Sequence, residues 1–193
     1  MAFDLQKLDA MLASYIEKKK LPGVSVAVRG PGGVVFEKGY GIADLETGRP
    51  IDENTVCGIA SMSKSMTTLA CCILAAEGKL SFDDPVSKYF PNFRVPGNPQ
   101  QDVTLRHLSM HTAGIPPMEP LEWSIALNTP GRDSEWAREM KRTSPNKMET
   151  IDQVIDYIAN CPYPTLGQAG EYMSYSNEGY AILSYVVDIA AGV

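Results

Sequence analysis

The stretch "IASMSKSMTTLACC", residues 59–72, places three serines and one lysine at the head of a run that otherwise reads as core. From Ser61 to Glu77 the residues are apolar or small on nearly every face, and Gly78 stands where a helix C-cap would. Such a segment predicts a helix buried on all sides. Polar groups at its start therefore need a reason. Ser61 and Lys64 are three positions apart, so on a helix they share a face and can reach each other. A serine is a poor nucleophile until a base takes its proton, and a lysine serves if burial or a neighbouring cation lowers its pKa. At a helix start the unpaired N–H groups and the positive dipole end also favour a developing oxyanion.

The spacing alone does not decide the matter. S-x-x-K arises about once by chance in a chain of this length, and "SPNK" at 144–147 is a second match, in a charged, proline-containing loop with no apolar helix to bury its lysine. Ser61 could equally be an N-cap and Lys64 a snorkelling side chain. A partner for the pair comes from "YSN" at 175–177, the only Y-x-N in the chain, which also heads an apolar helix. A phenolate is favoured beside an ammonium, so Tyr175 could exchange protons with Lys64 and Ser61. Asn177 could hold a substrate amide or orient the lysine. The structural alternative makes Tyr175 a packed aromatic and Asn177 a helix cap.

Around these motifs the chain reads as mixed α and β. Residues 4–20 carry Leu5, Leu8, Met11, Leu12, Tyr15 and Ile16 at helical spacing and stop at Pro22-Gly23. Val24, Val26 and Val28 alternate up to "GPGG" at 30–33, and Val34-Val35-Phe36 return from it, a hairpin signal. A second pair of short extended pieces is expected between Gly39 and Ile51. "SFDD" at 81–84 begins a short element, and "TLRHLSMH" at 104–111 predicts a helix. Residues 116–149 hold five prolines and many charges without a period, which predicts a surface excursion or lid that includes Trp123 and Trp136. Thr150 and Gln153 form a capping box before Ile151, Val154, Ile155 and Ile158. A last helix, Asn177 to Ala191, carries Tyr180, Leu183, Val186, Val187 and Ala190 on one face.

Composition removes several classes of function. With 193 residues, 44% of them hydrophobic, the chain can bury a core and is not disordered. A net charge of -6 opposes nucleic-acid binding, and the basic clusters Lys18–Lys20 and Lys141-Arg142 read as solvated. No stretch approaches the ~18 apolar residues of a membrane span, and the N-terminus lacks the apolar run of a secretory signal. The chain as written is expected to be soluble and cytoplasmic. Cys57, Cys71, Cys72 and Cys161 lack CxxC spacing and are expected as buried reduced thiols. G-x-S-x-G is absent. His107 and His111 have i,i+4 spacing that could ligate zinc, but "HLSMH" lacks the metalloprotease glutamate. "GPGG" lacks the Lys-Ser or Lys-Thr of a P-loop. Neither a metal nor a cofactor is expected.

"GIASMSKSMTTLA" resembles the nucleophile segment of the serine β-lactamase and penicillin-binding protein superfamily. "YMSYSNEGYAILSYVV" resembles its second motif, in the Tyr form of class C β-lactamases, D-aminopeptidases and related esterases. "LPGVSVAV", "KGYGIADLETGRPI", "EGKLSFDDPVSKYFPNF" and "VTLRHLSMHTAGIP" resemble the linking segments in family order, so the likeness spans essentially the whole chain. It implies a β-lactamase/transpeptidase-like α/β fold and a serine hydrolase acting through an acyl-enzyme. In that reading Ser61 attacks a carbonyl, Lys64 and Tyr175 relay its proton to the leaving group, and Asn177 positions the substrate. The implied substrates are peptides or amides of D-residues first, then esters, then β-lactams.

The family's third motif, Lys-Thr-Gly or His-x-Gly, follows on a distant strand, and no such tripeptide occurs in these residues. The resemblance therefore makes residues 1–193 the N-terminal part of one catalytic domain. Residues 1–60 would supply a helix and sheet strands and 61–193 most of the helical region, without the C-terminal strands. A two-stranded hairpin is marginal alone, so a complementary C-terminal chain of the same protein is the expected partner. A rival reading is a catalytically silent relative that serves as a binding or assembly module.

Overall fold

The computed structural model describes residues 4–97, 103–116 and 150–193. Residues 117–149, which hold nearly all of the expected lid with both tryptophans and the second S-x-x-K match, lie outside the described residues. The chain divides into two compact units, Met1–Ile59 and Ala60–Val193.

In the first unit, helix α1 (Leu5–Lys19) begins at Asp4, whose carboxylate accepts the Lys7 N–H at 3.0 Å. Strands β1 (Gly23–Gly30) and β2 (Gly33–Gly41) form the expected antiparallel hairpin, with Val24 opposite Tyr40 and Val28 opposite Phe36. The register slips between Val28 and Arg29, a bulge that bends the ribbon. Helix α1 packs on β2. From β2, Lys38 Nζ and the Tyr40 hydroxyl both donate to Asp9 of α1, at 2.8 and 2.7 Å. The Lys38 contact, then the Tyr40 contact, holds the Asp9 carboxyl below its ordinary range. Burial, then the hydrogen bond to Asp9, pushes Tyr40 up to about 12.

The second pair of extended pieces does not form. Beyond β2 only an isolated bridge joins Ile42 to Pro50. The reason is local, because the Asp44 carboxylate accepts the N–H groups of Glu46 and Thr47 and turns the chain where a ladder would need it extended. Gly41 permits the close return. Its φ of +75° suits glycine, and a Cβ there would lie 2.2 Å from the Pro22 carbonyl oxygen.

In the second unit, a 3-10 turn (Ala60–Met62) leads into helix α2 (Ser63–Ala76). Gly78 closes α2 in the left-handed conformation. Its N–H bonds the Ala75 carbonyl and the Lys79 N–H bonds that of Leu74, a Schellman motif. Ser81 and Asp84 close a turn ahead of a second 3-10 turn at Val86–Lys88. Helix α3 (Leu105–Ser109) opens with a capping box between Thr104 and His107. Helix α4 (Ile151–Ala159) opens with the expected Thr150–Gln153 box. Helix α5 (Asn177–Ala191) is capped by Ser176 Oγ, which accepts the Gly179 N–H at 3.0 Å.

Helix α5 packs against α2, α3 and α4 and supplies the centre of the core. Its Ile182, Leu183 and Val186 are fully buried, together with Leu105 and Leu108 of α3 and Ile158 of α4. The expectation of a fully buried α2 is corrected. Only Cys71 and Leu74 of α2 are buried, whereas Met66, Leu69 and Ile73 are 63%, 55% and 52% exposed. Helix α5 packs against one face of α2, and these three side chains lie on another. The cysteine expectation is corrected with it. All four are unbonded thiols, but Cys57 and Cys72 are exposed, and Cys72 sits on the open side of α2 while Cys71 faces the core. Burial, with the neighbouring Cys72 second, pushes the Cys71 thiol up to about 11. No helix among the described residues is long and apolar enough to cross a membrane.

Candidate active site

Two helix starts converge within the second unit. The 3-10 turn ahead of α2 carries Ser61, the first turn of α2 carries Lys64, and the start of α5 carries Tyr175 and Asn177 on either side of its Ser176 cap. Packing of α5 on α2 brings all four candidate residues together. Lys64 Nζ donates to Ser61 Oγ at 3.2 Å and to Asn177 Oδ1 at 2.6 Å. The Tyr175 hydroxyl donates to Ser61 Oγ. Ser61 Oγ therefore lies between an ammonium and a phenol, at the positive end of a 14-residue helix.

The structure decides against the capping alternatives at each position. Met62, not Ser61, is the N-cap of α2, and it offers no side-chain cap bond. Ser176, not Asn177, caps α5. Tyr175 is 46% exposed, so it is not a packed core aromatic. Lys64 does not snorkel outward but points to Ser61 and Asn177, with Nζ 4.9 Å from the Tyr175 ring centroid and 5.5 Å from that of Tyr180.

The electrostatics suit proton exchange. The nearby Lys64 ammonium, then the hydrogen bond with Ser61, lowers the Tyr175 phenol from its ordinary value, against a smaller opposing effect of burial. Once the phenol gives up its proton, the same contact reverses and Ser61 donates to the phenolate. The backbone just ahead of Ser61 is strained, since Ala60 has a φ of +45°, which a residue with a Cβ rarely adopts.

Two residues complete the site that sequence reasoning did not assign to it. Tyr180, one turn into α5, donates to the Ser109 carbonyl at 2.8 Å and lies 3.0 Å from Thr68 Oγ1, tying α5 to α3 and α2. His111 stacks on Tyr175 with ring centroids 4.3 Å apart and lies 5.0 Å from the Tyr180 ring. In the sequence it figured only as half of a metal-ligating pair. Here the Nδ1 of His107 accepts the Thr104 N–H and that of His111 accepts the Ser176 N–H. A sequence signal for His111 existed in hindsight: it follows a helix end where glycine or asparagine is usual.

The segment before α5 is held by a seam of backbone bonds. Leu166 and Gly170 N–H groups donate to the carbonyls of Gly114 and Thr112, and the Ser174 N–H donates to that of His111. Ser174 Oγ donates to the Ile115 carbonyl from a buried position. This seam fixes the approach to Tyr175 without forming a strand.

The Ser61 hydroxyl is thus shared by Lys64 and Tyr175, at the start of one helix and against the start of another. Comparison with known proteins gives the family: the chain belongs to the beta-lactamase family, whose profile matches residues 8–193. Penicillin-binding protein 4* of Bacillus subtilis (strain 168) is 27% identical over 186 residues, covering 96% of this chain and 36% of that protein. Esterase EstB of Burkholderia gladioli is 34% identical over 111 residues, covering 56% of this chain and 28% of that protein. The octameric penicillin-binding protein homologue from Pyrococcus abyssi superposes with a TM-score of 0.77 at 30% identity, covering 99% of this chain and 40% of that one. The family and the β-lactamase/transpeptidase fold read from the sequence are thereby borne out, and the chain spans about a third of the length of these curated relatives.

Proposed function

We propose that this chain carries the nucleophile, its base and a substrate-orienting amide of a serine hydrolase that works through an acyl-enzyme. The observation that carries the reading is the double contact of Ser61 Oγ with Lys64 Nζ and the Tyr175 hydroxyl. In the reaction Ser61 Oγ forms a bond to the substrate carbonyl carbon while its proton passes to the Tyr175 oxygen. The nearby Lys64 favours the anionic form of that oxygen, which takes the proton, and the proton then goes to the leaving nitrogen or oxygen as its bond to carbon breaks. Water hydrolyses the ester on Ser61 by the same groups in reverse. Asn177 fixes Lys64 and presents its amide to the substrate.

Among substrates, amides and small peptides with D-residues come first, esters second and β-lactams third. The esterase relative supports carbonyl-oxygen cleavage on the same scaffold. Activity belongs to a polypeptide that covers the open side of α2, and the apolar Met66, Leu69 and Ile73 support a further segment of the same protein as that cover. A cooperative thermal transition by the 193-residue chain as a monomer would overturn this last point.

The test is a panel of D-alanyl p-nitroanilides, p-nitrophenyl esters and a chromogenic cephalosporin, offered to the full-length protein and to Ser61→Ala. Hydrolysis of one class that Ser61→Ala abolishes supports the reading. Hydrolysis that survives Ser61→Ala removes Ser61 as the nucleophile, and none with any class favours the silent module.

A further inference from the structure

Tyr175 is 46% exposed, so core packing does not fix its ring, yet its hydroxyl must stay on Ser61 for the site to work. One residue supplies three restraints on it. The His111 carbonyl accepts the N–H of Ser174 at 2.7 Å, its Nδ1 accepts the N–H of Ser176 at 3.0 Å, and its ring stacks on the Tyr175 ring at 4.3 Å with 27° between planes. Both backbone neighbours of Tyr175 and one ring face are thus held from a single position.

That position is unusual for a residue with a side chain. Helix α3 ends in a Schellman motif, with the Thr112 N–H on the His107 carbonyl and the His111 N–H on that of Leu108. His111 takes the left-handed slot with a φ of +58°. Glycine serves such a slot without strain, but glycine would remove the acceptor and the ring together.

Building on the proposed roles of Ser61, Lys64 and Tyr175, we infer that His111 is a positioning residue, which acts as a neutral acceptor and stacking plate to keep the Tyr175 hydroxyl between Ser61 and Lys64. The acceptor role requires an unprotonated Nδ1, so the ring carries its proton on Nε2. Burial, then the nearby Lys64 charge, keeps His111 below its ordinary pKa and so favours this neutral form.

Two substitutions separate the functions of the ring. His111→Asn keeps an acceptor near the Nδ1 position and tolerates the left-handed backbone, whereas His111→Phe keeps a stacking ring and loses the acceptor. The readout is the titration of Tyr175 by carbon NMR of labelled tyrosine in the full-length protein, assigned with Tyr175→Phe, alongside the rate of Ser61 labelling by a fluorophosphonate. The expected result is a Tyr175 titration below the ordinary phenol value in the wild type and in His111→Asn, and a return toward that value in His111→Phe. Labelling should fall at least about tenfold in His111→Phe, and by less, roughly three- to tenfold, in His111→Asn, which keeps the acceptor but loses the stacked ring. An unchanged Tyr175 titration in His111→Phe overturns the inference, whether or not Ser61 reacts. If the titration moves as expected while wild-type Ser61 stays unlabelled, the positioning role stands and the hydrolase reading falls.

Discussion

Asn177 Oδ1 accepts a 2.6 Å hydrogen bond from Lys64 Nζ, across the contact between the second and fifth helices of the described chain. The bond joins two residues that are 113 positions apart in sequence and fixes the ammonium beside Ser61. Because Lys64 and Asn177 act through one contact, their losses should not add. Lys64→Met and Asn177→Ala are each expected to lower kcat/KM, Lys64→Met by at least about a hundredfold, with the loss in the double variant smaller than the product of the two single losses. A double-mutant cycle on the full-length protein measures this, and additive losses would show that the contact is not shared in the reaction.

Tyr175 gives a pH prediction. Its phenol lies below its ordinary value, held there first by Lys64 and then by Ser61, so the phenolate becomes populated at a lower pH than a free phenol would allow. The rate of kcat/KM should rise with pH through that lowered value and level off above it. Tyr175→Phe should lose about a hundred- to ten-thousandfold in rate together with the alkaline rise. Since the side chain is half exposed, the same variant should melt within a few degrees of the wild type.

The two histidines set an acid limit on stability. Both lie below the ordinary value of 6.5, His107 through burial and then the Arg106 charge, His111 through burial and then Lys64. Between each folded value and 6.5 the unfolded chain binds more protons than the folded one, so stability rises with pH across that window. Stability should therefore decline as pH falls from 6.5 through the folded values. Urea unfolding between pH 7.5 and 5 measures it, and the slope should be smaller in His111→Asn.

Core and surface should differ sharply in cost. Ile182 is fully buried at the centre of α5, and Ile182→Ala should destabilise by about 2–5 kcal/mol. Thr150→Ala removes a capping box and should cost about 1 kcal/mol. Asp83→Asn breaks an exposed ion pair with Arg106 and should cost about 0–1 kcal/mol. Denaturant midpoints of the three variants give the order.

The four candidate site residues were legible because each motif sat at a helix start, where a polar side chain in an apolar run needs an explanation. Helix ends were legible where a side chain caps its own backbone, as at Thr150 and Gln153, because such bonds are local in sequence. What the sequence hid was non-local. The seam between His111–Gly114 and Leu166–Ser174 consists of backbone bonds that leave no periodic pattern, and His111 works through a left-handed backbone that only a structure displays. The open face of α2 was misread for the opposite reason: an apolar pattern reports what a helix can bury, not which neighbour is present to bury it.

The proposed reaction stands or falls on Ser61 as its nucleophile. The most direct test is the denaturing intact mass of the full-length protein after treatment with a serine-reactive fluorophosphonate, with the adduct mapped to its peptide. One adduct is expected, on Ser61, which Ser61→Ala abolishes and Tyr175→Phe slows. An adduct on another serine, or none on folded protein, would contradict it.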